Sequence, residues 1–316
     1  MQLSPKAAYR NFCALEKNIP LFLNDWWMDA VCGDSWDVAL VQNGDEVIGA
    51  LPYLKARRFG FRLLNMPKLT SFLGPVFKYP EGQKYVSKLS YEMEIMEKLI
   101  EQIPSFDLFR QSFHYSIANW LPFYWKGYEQ TTRYTYLLDL DNLNHVFVEL
   151  KSSVRGKIRK AEGIVTVQHS RPLEDFYNVF CMTFERQKIK PPIDLVYLKK
   201  IDDALSKRNQ RKIFYAVDKD GKVHSALYLI WDNHSSYVHM VGENPQLRNS
   251  GAGILLIWKA IEYTRNEIKL TTFDFLGSMI ESVEPVRRSF GAKQVPYFQI
   301  KKVNSRIMKL FFSLSN

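Results

Sequence analysis

The sequence predicts a mixed α/β fold, an α+β arrangement in which strands and helices alternate within two similar halves. Short runs rich in β-branched and aromatic residues precede longer runs whose apolar residues recur at helical spacing, and this order occurs twice. The 316 residues suffice for two domains of ordinary size. An apolar content of 46% is typical of a globular chain and excludes a disordered one.

The first half shows strand and helix signals in a regular order. Residues 36–41 and 47–54 are predicted to form a hairpin, because Asn43-Gly44 supplies the positive φ angles of a tight turn. The other predicted elements are an aromatic-rich helix at 21–30, a strand at 72–77, a helix at 85–103 that Pro104 ends, and a strand at 106–113. The order of hairpin, strand, helix and strand recurs later in the chain.

The second half contains the copy. Residues 47–54 align with 223–230, after the similar turns Asn43-Gly44-Asp45 and Lys219-Asp220-Gly221. An internal duplication follows. We expect residues 1–133 to form a degenerate N-terminal domain and residues 134–316 a C-terminal domain that carries the chemistry. No Pro/Gly/Ser-rich linker separates the halves, so we expect them to pack side by side.

A short basic helix is predicted near the start of the second half, at 151–162. It could contact the phosphates of a nucleotide or RNA, or it could be a solvated face of like charges. Two further predicted helices at 173–187 and 195–206 are amphipathic, and strands are predicted at 134–140, 164–169, 213–217 and 236–241.

Charge and cysteine content limit the classes of function. The formal net charge of +10 favours polyanionic partners such as coenzyme phosphates, nucleic acid, cell-wall precursors or anionic lipid, although it could serve solubility alone. Cys13, Cys32 and Cys181 are too few and too dispersed for a disulfide framework or a Cys-rich zinc site, which favours a reducing cytoplasm. His224, His234 and His239 lie close in sequence but lack zinc-ligand spacing with a carboxylate or thiol, and we expect no metal.

No secretion signal or transmembrane segment is expected. Residues 1–19 carry charges throughout, and no apolar run approaches the roughly 18 residues that span a membrane. The protein should therefore be cytoplasmic. The apolar and basic tail at 305–314 could touch a membrane surface, or it could cover a core or a partner chain.

A glycine-bearing turn in the second half predicts an anion site. The turn lies between the strand at 236–241 and a helical run at 254–261. A helix start leaves about four N–H groups unpaired, glycine admits a phosphate closely, and arginine adds a charge. The predicted pyrophosphate cradle consists of Arg248, Asn249, Ser250, Gly251, Ala252 and Gly253, with Val241 at the end of the strand.

The pattern Arg-x-x-Gly-x-Gly, from Arg248 to Gly253, resembles the cofactor loop of the GNAT acyltransferase superfamily. In that superfamily the loop grips the pyrophosphate of an acyl-coenzyme A. The resemblance implies two tandem GNAT-like domains in this chain, with acyl-coenzyme A as the donor. The first half has no such pattern after Gly74, which is why we expect it to be degenerate.

A second pattern lies downstream, where the strand Thr272-Phe273-Asp274-Phe275-Leu276-Gly277 precedes the helix at 284–291. This pairing is similar to the C-terminal signature of Fem-type aminoacyltransferases, tandem GNAT folds that transfer amino acids from aminoacyl-tRNA to peptidoglycan precursors. The usual Phe-Lys is Val286-Arg287 here, so the role of that lysine carries over only as a cation. Arg287 also stands where GNAT enzymes have a tyrosine acid.

Four side chains are candidates for catalysis. Glu243 and Asp274 could each act as the general base, although Asp274 could equally be a structural hydrogen-bond acceptor and Glu243 a solvated loop residue. Arg287 could hold a substrate phosphate or carboxylate, or complement a helix C-terminus. Tyr297 is a possible proton donor, or a packing residue in a late strand. Backbone N–H near Val241 could meet the oxyanion.

The resemblances and the residues together predict an acyltransferase that moves an acyl group from acyl-coenzyme A to an amine-bearing small molecule or peptide by direct attack. An alternative is aminoacyl transfer from aminoacyl-tRNA to a cell-wall peptide precursor. The absent tyrosine leaves a third reading open, a non-catalytic binding module with a decayed site. Neither a nucleophile elbow nor a P-loop pattern is present, so a covalent enzyme intermediate is not expected.

Overall fold

A computed structural model describes residues 3–277 and 279–314. The chain divides into two compact units, of which the first comprises residues up to 133 together with those from 296 onward, and the second comprises residues 134–295. The predicted mixed α/β class is confirmed, because both units combine helices with strands. Each unit is described separately below.

The first half of the chain begins with helices and continues through an antiparallel hairpin. Its elements are α1 (Pro5–Leu15), α2 (Asp25–Cys32), β1 (Trp36–Asn43), β2 (Glu46–Arg58), β3 (Phe61–Asn65), β4 (Val76–Phe77), α3 (Tyr85–Glu101), β5 (Leu108–Ser112) and α4 (Leu121–Trp125). The next strand, β6 (Glu129–Asp139), runs from the first unit into the second.

The remaining elements are mostly those of the second unit. They are α5 (Leu143–Glu149), α6 (Ser152–Glu162), β7 (Val165–Gln168), α7 (Leu173–Glu185), α8 (Leu195–Ser206), β8 (Arg211–Asp218), β9 (Val223–Trp231), β10 (Ser235–Glu243), α9 (Ala252–Tyr263), β11 (Thr272–Asp274), α10 (Glu284–Ser289), β12 (Lys293–Val303) and α11 (Arg306–Leu314). Short 3₁₀ turns occur at Leu21–Leu23 and Arg248–Ser250, and a π-helical turn extends α9 over Thr264–Ile268.

The first unit is a sheet with the strand order β1-β2-β3-β5-β12, and β4 pairs with β2. The predicted hairpin is present: β1 and β2 pair in antiparallel register around a turn at Gly44, whose φ is +61°. Helix α3 buries Ile95, Met96 and Leu99 in the core of this unit. This apolar stripe at helical spacing is what fixes the helix on the sheet.

The second unit has the strand order β6-β11-β10-β9-β8-β7. Only β10 and β11 pair in parallel among these strands, because the chain crosses over between them through α9. Helix α9 buries seven residues in the core of the unit: Ala252, Leu255, Leu256, Ile257, Trp258, Ala260 and Ile261. Helix α7 packs against the other face of β10 and buries Phe176, Val179 and Phe180.

Two expectations from the sequence differ from the structure. Residues 296–314, which the sequence predicts in the second domain, belong to the first unit, because β12 pairs with β5 from Gln299–Ser112 to Val303–Leu108. The helix predicted at 21–30 begins only at Asp25. Asn24 interrupts it with an extended ψ of 144°, while its side-chain amide donates to carbonyl oxygens of the preceding turn.

The helices of the described part of the chain include none that is both long and apolar enough to cross a membrane.

Gly242 in β10 lies directly against the backbone of α7, and this contact gives a stability prediction. A Cβ atom there would lie 2.6 Å from the Phe180 nitrogen and 2.7 Å from the Val179 carbonyl carbon. We expect Gly242→Ala to lower the free energy of unfolding by about 1–3 kcal/mol, since neither backbone atom can turn aside. Urea denaturation measures the change.

Gly156 provides the matched control, because a Cβ atom added there meets nothing within 4 Å. It lies in the interior of α6, where alanine is favoured over glycine by up to about 1 kcal/mol. Gly156→Ala should therefore be neutral or stabilising. Equal destabilisation of the two variants would contradict the close packing of α7 on β10.

Candidate active site

The start of α9 is shaped by a 3₁₀ turn and one left-handed glycine. Arg248–Ser250 form the turn, and Gly251 then takes a φ of +80° as the N-cap residue. An L side chain is strained in that conformation, and a Cβ atom would also lie 3.0 Å from the carbonyl oxygen of Lys157. The glycine is therefore required both by its backbone conformation and by the approach of α6.

The amide groups at this helix start are partly engaged by the protein itself. Ala252 N–H donates to Ser250 Oγ at 3.3 Å, and the N–H groups of Ile254 and Leu255 both donate to the Gly251 carbonyl at 3.1 Å. Among the hydrogen bonds of the described residues, the N–H of Gly253 has no partner. The predicted cradle thus offers one amide rather than four.

The basic helix predicted at 151–162 is α6, and it adjoins the turn. Lys160 Nζ donates to the Asn249 carbonyl at 2.7 Å. The opposite face of α6 buries Val154, Ile158 and Ala161 in the core. The side chain of Arg248 is 52% exposed, so its guanidinium remains accessible. The turn is therefore held by one cation and flanked by another, as an anion site needs.

Glu243, at the end of β10, places a carboxylate at the same helix start. Its N–H donates to Thr183 Oγ1 at 3.0 Å, and its Oε2 lies 3.9 Å from Arg248 Nε. A Cβ atom at Gly253 would lie 3.4 Å from Oε1. Burial raises the pKa of Glu243, and the charges of Arg248, Arg186 and Lys157 oppose this rise. The residue is half-buried beside the turn and is not a solvated loop residue.

The parallel pairing of β10 with β11 is short. The ladder runs from Ser235–Thr272 to Tyr237–Asp274 and stops there, while β10 continues to Glu243 along β9. A register shift at His239 marks a β-bulge in β10. The chain after β11 stays with β6, because Phe275 N–H donates to the Tyr136 carbonyl at 3.0 Å. The two strands therefore part, and Val241 lies on the separated stretch of β10.

Asp274 is fully buried at the last rung of that ladder. Its Oδ1 accepts from Thr135 Oγ1 and, at 2.8 Å, from Leu276 N–H, whereas its Oδ2 has no hydrogen-bond partner among the described atoms. Burial raises the pKa of Asp274 to about 7, and the two hydrogen bonds oppose this rise. The carboxyl is both a structural acceptor and a group able to titrate near neutrality.

Arg287, on α10, carries a second buried polar atom. Its Nε is buried without a hydrogen-bond partner in the described structure. The guanidinium carbon lies 5.8 Å from the centre of the Phe275 ring. Burial lowers the pKa of Arg287 to about 10, and the charge of Asp274 opposes this change. The cation that replaces the Fem-type lysine therefore points inward to the neighbourhood of the Asp-Phe strand.

Glu243 and Asp274 lie on opposite faces of the sheet in the second unit. Glu243 is on the α9 face, beside Gly253. Phe273 and Phe275 pack in the α9 core, so Asp274 between them faces the other way, as strand alternation requires. The two carboxylates are therefore not one catalytic pair. The sequence left either of them open as the base and did not show this separation.

Tyr297 belongs to the first unit, whereas Glu243, Asp274 and Arg287 belong to the second. Its side chain is buried, and its ring packs edge-on against Phe72 with centroids 5.0 Å apart. Thr135 and Thr183, which bind the two carboxylate residues, were missed by sequence reasoning. Threonine in a strand or helix gives no signal by itself, because its partners come from distant parts of the chain.

A groove of about 980 Å³ in the second unit is lined by α5, α6 and α9 residues such as Phe147, Arg159 and Trp258, and the candidate catalytic residues are not among its lining residues. The described residues hold no group of three or more His, Cys, Asp or Glu side chains placed to bind a metal ion. The candidate active site therefore lies around the parted strands β10 and β11.

Comparison with known proteins supports this location. Residues 149–282 match the model of the acetyltransferase (GNAT) domain, and this range contains the turn, both parted strands and Glu243. Among curated proteins, none matches the chain.

Solved structures share the fold over nearly the whole chain. FemX is 15% identical and has a TM-score of 0.67, covering 95% of this chain and 96% of its own. The C-terminal domain of a putative lysylphosphatidylglycerol synthetase from Agrobacterium fabrum is 10% identical, with a TM-score of 0.60 and coverages of 98% and 96%. A tandem GNAT protein from the clavulanic acid biosynthesis pathway is 12% identical, with a TM-score of 0.54 and coverages of 95% and 94%.

Because the identities are low, these likenesses establish the fold alone. The domain match covers residues 149–282, a range that includes the parted strands and the glycine-bearing helix start. The whole-chain similarity includes a structure described as a tandem GNAT protein. On these grounds residues 149–282 form a GNAT acetyltransferase domain, and the whole chain shares its fold with FemX and the tandem GNAT protein.

Proposed function

We propose that the protein moves an acyl group from acyl-coenzyme A to the amine of a small-molecule or peptide acceptor by direct attack. The observation that carries this proposal is the parting of β10 from β11 beyond Tyr237 and Asp274, beside the first turn of α9. Among the described residues, the ladder with β11 stops at Tyr237, so the edge of β10 from Met240 to Gly242 lies beyond it. An extended acyl arm can add to that edge as a strand would.

The donor phosphates are assigned to the turn. Arg248 is the accessible cation, the N–H of Gly253 is the unengaged amide, and Lys157 lies close enough for its charge to act on Glu243. A diphosphate takes charge-assisted hydrogen bonds from such groups. Asn249, Ser250 and Ala252 contribute backbone shape, because the Asn249 carbonyl accepts from Lys160 and Ser250 Oγ accepts from Ala252 N–H.

The reaction consists of attack and departure. The amine nitrogen attacks the thioester carbonyl carbon, the oxygen takes the negative charge, and the carbon–sulfur bond then breaks as the coenzyme thiolate leaves and takes up a proton. A backbone N–H of β10 near Val241 is the proposed donor to the oxyanion, since it lies on the edge beyond that ladder. The nitrogen must lose a proton during this sequence, so a base is required.

Glu243 is the proposed base. It lies on the α9 face with the donor turn, and burial raises its pKa toward the range in which it can accept a proton at neutral pH. Asp274 faces away from that turn, and we assign it a positioning role: it holds Thr135 and Leu276 where β11 leaves β10. Arg287, whose Nε is unpartnered, is proposed to hold a phosphate or carboxylate of the substrate.

A second candidate donor is aminoacyl-tRNA, with a cell-wall peptide precursor as the acceptor. Two observations favour it. The Glu243 carboxylate and Ser250 Oγ already occupy part of the helix start, which weakens a diphosphate site. Arg287, whose Nε is buried, stands at the position of the Fem-type lysine, and FemX shares the fold at a TM-score of 0.67. The third possibility, a non-catalytic binding module with a decayed site, is tested by the activity measurements below.

The donor assignment predicts a binding response. Coenzyme A is expected to raise the Tm of the wild type, because a ligand that binds only the folded state stabilises it. Arg248→Ala should weaken binding about 10- to 150-fold, since a hydrogen bond to a charged group contributes about 1.5–3 kcal/mol. Differential scanning fluorimetry over a range of coenzyme concentrations measures both effects.

Arg208→Ala is the control for this experiment, because Arg208 is an exposed arginine of the same unit that donates to the Ala204 carbonyl. It should leave the coenzyme response unchanged. A wild type without any response to coenzyme A, but with salt-sensitive binding of bulk tRNA, would replace the first donor by the second.

The base assignment predicts a kinetic loss. Glu243→Gln keeps the side-chain volume but cannot accept the proton, so kcat should fall about 100- to 10,000-fold while the Tm response to the donor is retained. Glu185→Gln, an exposed carboxylate at the end of α7, is the matched control and should keep the wild-type rate. Turnover is followed by release of the coenzyme thiol in an amine-acceptor screen. Undiminished turnover by Glu243→Gln would remove Glu243 from the role.

The protonation of Asp274 predicts a pH dependence of stability. Its pKa in the folded chain is about 7 and lies above that of an exposed aspartate, so the folded state holds the extra proton between about pH 4 and pH 7. The free energy of unfolding therefore falls as the pH rises through that window. In Asp274→Asn the neutral amide removes this fall, and its Oδ1 can still accept from Thr135 and Leu276.

As the pH rises from acid to mildly alkaline, the free energy of unfolding of the wild type should fall by at least about 1.4 kcal/mol more than that of Asp274→Asn. This amount corresponds to a shift of one pKa unit. Urea denaturation at each pH gives the values. A stability difference between variant and wild type that is the same at both ends of the pH range would show that Asp274 keeps an ordinary pKa.

A further inference from the structure

The short helix α4 of the first unit exposes large side chains. Tyr124 is 59% and Trp125 is 57% exposed, although Phe123 between Pro122 and Tyr124 is fully buried and anchors the helix. The exposure is therefore not a sign of a loosely packed segment. Aromatic side chains with a polar edge are favoured at the boundary between water and lipid headgroups.

The start of α11 in the same unit exposes a second set. Ile307 is 71% and Leu310 is 63% exposed, and the exposed cations Arg306 and Lys309 alternate with them along the helix. A helix that carries apolar and basic side chains together on its exposed surface is suited to lie in a membrane interface.

Residues that flank the two helices are connected by a set of contacts within the unit. Lys302, near the end of β12, donates from Nζ to the Lys126 carbonyl at 2.6 Å and lies over the Tyr128 ring at 4.9 Å. Two residues further on, Asn304 Nδ2 donates to the Phe106 carbonyl, and the Phe106 ring lies 6.2 Å from that of Tyr128. The end of α4 and the start of α11 are thus joined through one layer of contacts.

The surface so formed, which we call the aromatic-basic patch, consists of Tyr124, Trp125, Lys126, Arg306, Ile307 and Lys309. The patch has three cations. Among the described residues, the one carboxylate recorded within ion-pair distance of them is that of Glu101, whose Oε1 lies 4.0 Å from Lys126 Nζ. The protein as a whole has a net charge of +10. The patch therefore combines apolar insertion with positive charge, and an anionic bilayer complements both.

We propose that the aromatic-basic patch docks the first unit onto the surface of an anionic lipid bilayer. Trp125 and Ile307 insert at the headgroup level, and Lys126, Arg306 and Lys309 meet the lipid phosphates. The association is peripheral and reversible, and it weakens with salt because the charges lie at the surface. This role does not depend on the donor or on the base proposed for the second unit.

The test is co-sedimentation of the full chain with vesicles of phosphatidylcholine alone and of phosphatidylcholine with phosphatidylglycerol, at low and high salt. The wild type should bind the anionic vesicles at low salt and the neutral ones far less. The double variant Trp125→Ala and Ile307→Ala should lose about tenfold in binding, as two apolar insertions are removed. Arg306→Glu with Lys309→Glu should lose more than tenfold, since each basic residue contributes a factor of roughly five.

Matched controls lie on α8 of the second unit, where Val196 is 66% exposed and Lys207 forms only a surface ion pair. Val196→Ala and Lys207→Glu should bind vesicles like the wild type, and unchanged thermal unfolding must show that each variant is folded. No binding to anionic vesicles, or equal losses in patch and control variants, would overturn the proposal. Sedimentation velocity tests whether the patch instead binds a second copy of this chain. A dimer that the patch variants convert to monomer would assign the patch to that contact and overturn the proposal.

Discussion

The backbone pairing between β10 and β11 ends at Tyr237 and Asp274, and the whole candidate site depends on that stop. Two strands that share a ladder leave no room for a substrate, because their N–H and C=O groups satisfy one another. Here β11 continues along β6 and β10 along β9, so the edge between them opens. The bulge at His239 locally increases the twist of β10 and so favours the separation.

Beside the opening between β10 and β11, positively charged groups and one carboxylate lie close together. The helix start of α9 and the cations Arg248, Lys157 and Lys160 favour an anion, and Glu243 supplies one from the protein itself. A carboxylate in such surroundings is neutralised without a ligand, and it must share or give up those contacts when a phosphate binds. In the proposed function, donor binding and the pKa of Glu243 are therefore coupled.

Asp274, on the other face of the sheet, is close enough to Arg287 for their charges to interact. Each of the two residues has a buried polar atom that has no hydrogen-bond partner in the described part of the chain, and each influences the pKa of the other. Such groups are costly, and folded chains keep them mainly where a function needs them. Thr135 and Leu276 hold Asp274 in place, so the Asp-Phe strand is fixed by its hydrogen bonds and not only by its apolar neighbours.

The sequence by itself determined the α/β class, the duplicated hairpin and the turn from Arg248 to Gly253, because these depend on local spacing and on glycine. It could not place residues 296–314 in the first unit, nor separate Glu243 and Asp274 onto opposite faces. Strand pairing and the side of a sheet on which a residue falls are set by contacts between segments far apart in the chain. The tertiary structure alone therefore decided which carboxylate stands beside the donor turn.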